Sequence, residues 1–152
     1  MTLIVNGLDE LRTHVGEHLG YSEWTPVTQE RINTFADATD DHQWIHVDVE
    51  RATSGPFGAP IAHGFLTLSL LIPLWGQILD LRGIDMAVNY GLNKVRFPAP
   101  VPVGSKIRLG ATLATLTDVS GGVEAVIDAV VERDQSVKPV CVAQVVHRYY
   151  AG

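Results

Sequence analysis

The sequence predicts an α+β fold in which one long apolar helix is wrapped by a curved antiparallel sheet. Three observations carry this. The chain to about Gly83 reads as helix and loop, and the rest as strand after strand. A nearly all-round apolar segment runs from Ala62 or His63 to about Leu81, and a helix apolar on every side must be covered on every side. The strand-rich half that follows is the natural cover.

The elements follow in order. Leu8, Leu11, Val15 and Leu19 recur at helical spacing and predict a helix over 7–18. Thr28 is a capping residue for a second helix, with Glu30 in its first turn and Ile32, Phe35 and Ala36 as its apolar stripe. Asp48 can cap a short helix through Thr53, and Ser54–Pro60 is a loop by composition. After the apolar helix, Met86–Phe97 reads as a strand that ends in the proline-rich stretch Pro98–Ser105. Lys106–Thr117, Val123–Arg133 and Pro139–Tyr150 are further strands, rich in Val, Ile and Thr, with turns at Asp118–Gly122 and Asp134–Lys138. An open sheet leaves edges that invite a second subunit, so a homodimer is expected. Trp24 and Trp75 are expected in the core.

The 152 residues suit one domain, 1–152, and 46% of them are apolar, which supports a well-buried interior. A formal charge of −6 disfavours nucleic acid as a partner. No charge run or basic amphipathic helix points to a membrane. The N-terminus lacks the features of a signal peptide, with Asp9, Glu10 and Arg12 close behind Met1. The stretch Phe65–Leu81 is interrupted by Pro73, Gly76 and Gln77 and falls short of a membrane span. Cys141 is the only cysteine, so no internal disulfide is possible, and a buried hydrophobe is its expected role. A cytoplasmic location is expected.

Ionisable groups sit beside segments that must be buried in two places. One is Thr39-Asp-Asp-His-Gln-Trp-Ile-His-Val-Asp48, the other Pro60-Ile-Ala-His-Gly-Phe65. Asp41 and His46 can face one cavity, hold a water between them and exchange protons with it. That suits hydration, dehydration or hydrolysis. A salt bridge or cap would use the same two residues equally well. No Gly-x-Ser-x-Gly completes a nucleophilic triad, and the spacing of His42, His46 and His63 matches no zinc pattern. Gly64 falls in the first turn of the apolar helix, where N–H groups lack intrahelical partners and the helix dipole is positive. It can hold an enolate oxygen, or simply permit tight helix–sheet packing.

The run Phe35-Ala-Asp-Ala-Thr-Asp-Asp-His-Gln-Trp-Ile-His-Val-Asp48, followed by Gly55-Pro-Phe-Gly-Ala-Pro-Ile-Ala-His-Gly-Phe-Leu66, resembles the signature of the MaoC-like (R)-specific enoyl-CoA hydratases. The closest similarity is to the NodN-like branch, where Asp-His-Gln-Trp-Ile-His replaces Asp-x-Asn-Pro-Leu-His. Val95–Ser105 is similar to that family's strand after the central helix, and the likeness spans about residues 20–150. The resemblance implies a hot-dog fold, a homodimer, and hydration of trans-2-enoyl-CoA to (R)-3-hydroxyacyl-CoA without metal or redox cofactor. It implies that Asp41 and His46 are the catalytic acid/base pair and that the Gly64 N–H forms the oxyanion hole.

Two departures stand out. Asp40 occupies the place before the catalytic Asp where the family usually has glycine. It would raise the pKa of Asp41 if both were buried, but is expected to point to solvent. Gln43 and Trp44 fit the NodN-like branch. Gln43 keeps an amide that could orient Asp41 or the substrate, and Trp44 is expected to pack over its loop. For the acyl-CoA phosphates, Lys94 and Arg96 share one face of a strand, with Arg82, Lys106 and Arg108 as other candidates. His63 is expected to cap or pack at the helix start, His42 to face solvent, and His14, His18 and His147 to be surface or satisfied core residues. Phe65, Leu68 and Leu71 could line an acyl tunnel. A hot-dog acyl-CoA thioesterase and a non-catalytic acyl-CoA-binding or scaffold protein are the alternatives.

Overall fold

A computed structural model describes residues 1–151. The chain runs β1 (Leu3–Asn6), α1 (Gly7–Arg12), β2 (His18–Tyr21), β3 (Thr25–Pro26), α2 (Gln29–Thr39), α3 (Trp44–Val47), α4 (Val49–Thr53), α5 (Gly64–Ser69), α6 (Leu71–Ile78), β4 (Leu79–Arg82), β5 (Ile84–Arg96), β6 (Lys106–Val119), β7 (Gly122–Arg133) and β8 (Cys141–Ala151). The antiparallel sheet has the order β2-β6-β7-β8-β5, with β3 also on β6. It wraps one side of α5 and α6. Alternation along its strands turns Leu109, Ala111, Ile127, Ala129, Ala143 and Val145 inward, against Leu66, Leu70, Leu71, Leu74 and Ile78 of the helical layer. Alanines at the centre of the inner face let the helices sink close to the sheet. Each fully buried Leu or Ile contributes about 1.5–3 kcal/mol of transfer free energy. Among the described residues, no helix is long and apolar enough to cross a membrane.

The expected caps are present. Thr28 Oγ1 accepts from the Arg31 N–H at 3.2 Å, and Asp48 Oδ1 accepts from the Arg51 N–H at 3.1 Å. The four long strands lie within two residues of their expected limits.

Three expectations are corrected. The apolar helix is not continuous: it is divided at Leu70 and ends at Ile78. Pro73 has no N–H to offer the Ser69 carbonyl, and the Ser69 hydroxyl donates back to the Phe65 carbonyl at 2.8 Å, a bond that bends helices. Leu79–Arg82 is instead a strand, paired in parallel with Leu3–Asn6. The first helix is also short. Gly16 takes a φ of +87°, the chain turns, and Leu19 belongs to β2 while Val15 is exposed. Finally, Trp24 is 40% exposed, lying under the Arg108 guanidinium at 4.7 Å. Trp75 does pack on the core, and its Nε1 donates to the Tyr149 hydroxyl at 3.1 Å.

The cover of the helices is one-sided. Phe65 is 70% exposed, and Ile72 is also exposed. The sheet edge β5 carries exposed Met86, Val88, Tyr90 and Leu92.

Candidate active site

The site forms where α2 ends, α3 begins, and the segment before α5 crosses beneath both. Asp40 terminates α2 in the left-handed conformation, with φ 59° and ψ 25°. This explains the glycine usual at that place: the backbone needs a positive φ there, and aspartate is one of the few other residues that adopts it. The side chain of Asp40 is exposed, as expected.

The turn delivers Asp41, also exposed, next to two buried histidines. One oxygen or nitrogen from each of Asp41, His46 and His63 lies within 4.8 Å of the others. The two imidazoles stack, with centroids 3.9 Å apart and planes 23° from parallel, and Phe35 closes the other side of His63 at 4.9 Å. The protonation of each ring follows from its carbonyl partner, because a carbonyl can only accept. His46 Nδ1 donates to the Ile61 carbonyl at 2.7 Å, so neutral His46 keeps its lone pair on Nε2. His63 Nε2 donates to the Asp41 carbonyl at 2.9 Å, which leaves its buried Nδ1 without a partner among the described residues.

Burial depresses the pKa of His46 and is the largest influence on it. The Ile61 bond works upward, His63 downward and Asp41 upward. The net effect favours a neutral ring with a free lone pair, the state a general base requires. Asp41, His46 and His63 are also close enough together for their donor atoms to surround one small cation.

Gly64 opens α5 after His63. Its N–H has no acceptor among the described residues. A Cβ at this position would lie 3.0 Å from the Phe97 ring, so both readings of the glycine have a physical basis: a free N–H, and close packing of Phe97. A cavity of ≈ 300 Å³ borders Gly64, Ile61, Thr67, Phe97 and Pro100. A second, of ≈ 560 Å³, borders Phe35, Thr39, Phe65 and Phe97. The two flank Asp41 and His46 rather than contain them.

The remaining expected residues divide. Gln43 joins through its backbone: its carbonyl accepts from the His46 N–H at 3.0 Å, while its exposed amide makes no bond to Asp41. The amide that does hold this loop is Gln29, whose Nε2 donates to the His46 carbonyl at 2.8 Å. No motif marked it, since only the fold brings α2 alongside α3. Trp44 packs over its loop as expected, against Gly55 and under Arg51 at 4.2 Å. His42 is exposed and pairs with Asp37 at 2.9 Å. Lys94 and Arg96 are exposed near the end of β5, and strand alternation turns them away from Val95 and Phe97, which border the cavity. They do not join the Asp41–His46 cluster. His147 is buried and only half satisfied, contrary to the expectation for it.

Fold and site together define a hot-dog hydro-lyase, and the chain belongs to the MaoC-like domain family, whose model matches residues 10–135. It is 54% identical over 143 residues to 3-hydroxyacyl-thioester dehydratase Z of Mycobacterium tuberculosis, covering 93% of this chain and 95% of that one. It is 50% identical to nodulation protein N of Rhizobium leguminosarum over 103 residues, 66% of this chain and 64% of the other. Among solved structures, a monoamine oxidase regulatory protein from Archaeoglobus superposes with a TM-score of 0.79 at 25% identity, over 100% of this chain and 99% of that one. The (R)-hydratase of A. caviae shares the fold, with a TM-score of 0.68 at 22% identity over 88% and 94% of the two chains.

The αL turn at Asp40 carries a prediction. Asp40→Gly should raise stability by up to about 1 kcal/mol, because relief of the left-handed strain outweighs the added freedom of the unfolded chain. Denaturant titration of the two proteins checks this, and a loss of stability would contradict the account of the turn.

Proposed function

We propose that the protein is an (R)-specific enoyl-CoA hydratase, adding water to trans-2-enoyl-CoA and running in reverse as a dehydratase. The observation that carries this is the lone pair on His46 Nε2, held in place by the Ile61 carbonyl, with Asp41 beside it. The Gly64 N–H donates to the thioester carbonyl oxygen and polarises the double bond. Asp41 orients a water by accepting one of its hydrogens. His46 Nε2 takes the other as the water oxygen bonds to C3, and the electron pair of the double bond moves onto the thioester as an enolate. The proton on His46 then passes to C2 on the same face, restoring the thioester and the neutral ring. No step in this scheme calls for a metal or a redox cofactor. Lys94 and Arg96 remain candidates for the CoA phosphates, as exposed cations on an acidic protein.

The wild-type protein should bleach the enoyl absorbance of crotonyl-CoA without releasing thiol; thiol release would favour a thioesterase instead. Asp41→Asn and His46→Gln should each lose about 10²–10⁴-fold in rate while keeping a native circular dichroism spectrum. Wild-type-like rates in either variant would defeat the assignment.

The state of His46 sets the pH dependence. The base works only as the neutral ring, and burial lowers its pKa below the ordinary 6.5. The acid limb of kcat/KM, which reports the free enzyme, should therefore lie below pH 6.5, with activity lost as pH falls through the depressed value. A limb centred above 6.5 would contradict the neutral-base role.

The same reading includes a homodimer. It is supported by β5, an edge strand with exposed Met86, Val88 and Tyr90, and by Phe65 and Ile72 on the uncovered side of the helices. Sedimentation at micromolar concentration should give a dimer, and Val88→Asp should shift it toward monomer. A wild-type monomer would sink this part of the proposal.

A further inference from the structure

Three cavities adjoin one another between the helices and the sheet. The one of ≈ 560 Å³ starts at Phe35 and Thr39, beside the turn that carries Asp41. It shares Leu68, Ser69 and Leu92 with a cavity of ≈ 310 Å³ that continues to Ile72, Val145 and His147. That one shares Leu71, Val145 and His147 with a small space of ≈ 10 Å³ bordered by Trp75 and Ile127. The path runs from the proposed reaction centre past exposed Phe65, Leu92 and Ile72, on the face assigned above to the homodimer, to the buried side chains of the core, and most of its wall is apolar.

Its inner end is not. His147 is 6% exposed and borders both inner cavities. The Trp75 indole donates to the Tyr149 hydroxyl at 3.1 Å, so that hydroxyl directs its own hydrogen elsewhere, and its other neighbour is His147 Nδ1 at 3.3 Å. Nδ1 is then an acceptor, and the neutral ring carries its proton on Nε2. Among the described residues Nε2 has no partner. Burial lowers the pKa of His147, which keeps the ring neutral. Asn89, the register partner of His147 on β5, borders the same cavity and adds a second polar group. A buried donor in an aliphatic wall needs an acceptor. Nε2 is already shut off from water, and an alkyl chain beside it would supply no acceptor either.

We infer that this tunnel is built for an acyl chain bearing a neutral oxygen acceptor, a keto or hydroxyl group, where the chain meets His147. The inference rests on the enoyl-thioester reading above and narrows its substrate class. A carboxylate is the poorer fit, because a neutral imidazole leaves its buried charge uncompensated.

The test compares 2-enoyl-CoA esters of equal length, one series plain and one carrying a keto group at successive distal carbons. For wild type, one keto position should raise kcat/KM about 10- to 100-fold over the plain ester of that length. His147→Leu should bring that ratio close to one. His147→Gln, which retains an N–H donor, should keep most of it. If His147→Leu fails to fold, the wild-type series and His147→Gln still decide. Wild type that hydrates plain esters but prefers no keto position overturns this inference and leaves the hydratase reading intact. Failure to hydrate any ester overturns both.

Discussion

The hydrogen bond from His46 Nδ1 to the Ile61 carbonyl is the contact around which the site is organised. It is one stitch of several made by a single extended segment. The Ile61 N–H donates to the Ile45 carbonyl at 3.0 Å, so Ile61 grips α3 with both of its backbone groups. On the other side, Ala62 N–H donates to the Val101 carbonyl and Val103 N–H to the Pro60 carbonyl, each at 2.8 Å. Residues 60–62 therefore bind the His46 loop to the proline-rich stretch after β5. They also aim the chain into α5, which places His63 and Gly64. A shift of this segment would disturb the tautomer of His46, the stack with His63 and the position of the Gly64 N–H together. Coupling of this kind holds reacting groups to within fractions of an ångström on rigid elements.

Burial divides the labour between the two proposed catalytic residues. His46 is 6% exposed and its ring is held neutral mainly by desolvation, whereas Asp41 stands on an exposed turn. The stacked His63 adds a like-charge influence that also opposes protonation of His46. One face of the site is dry and the other meets solvent, as a water-adding enzyme requires: the base is desolvated, and the nucleophile can enter.

How much of this was legible depended on the range of the interactions. Thr28 and Asp48 declared themselves because a cap is a local device, read within four residues. The long strands were legible because Val, Ile and Thr alternate with polar residues along them. Asp41, His46 and Gly64 were legible as a set because their spacing resembles a family pattern, although residue chemistry alone left each with two readings. The parallel β1–β4 pair was not legible, because Leu79–Arg82 continues an apolar helical pattern and only Leu3–Asn6, far off in sequence, converts it to a strand. Gln29 and His147 were hidden for the same reason. Nothing near either in sequence says that one will meet a carbonyl on α3 and the other will stand in the core with one ring nitrogen unpartnered among the described residues.

Asp40 shows why a departure from a family pattern needs a backbone argument before an electrostatic one. Two adjacent carboxylates suggest repulsion and a disturbed acid. The structure gives the usual glycine a different task, which is to end α2 at φ 59° and turn the chain toward the histidines. Aspartate performs that task at a modest conformational cost and sends its carboxylate to solvent. The position is thus constrained by dihedral angle, and its charge is incidental to the turn. By the same logic, asparagine should serve there as well as aspartate, whereas a β-branched residue would pull the turn apart and carry Asp41 away from His46.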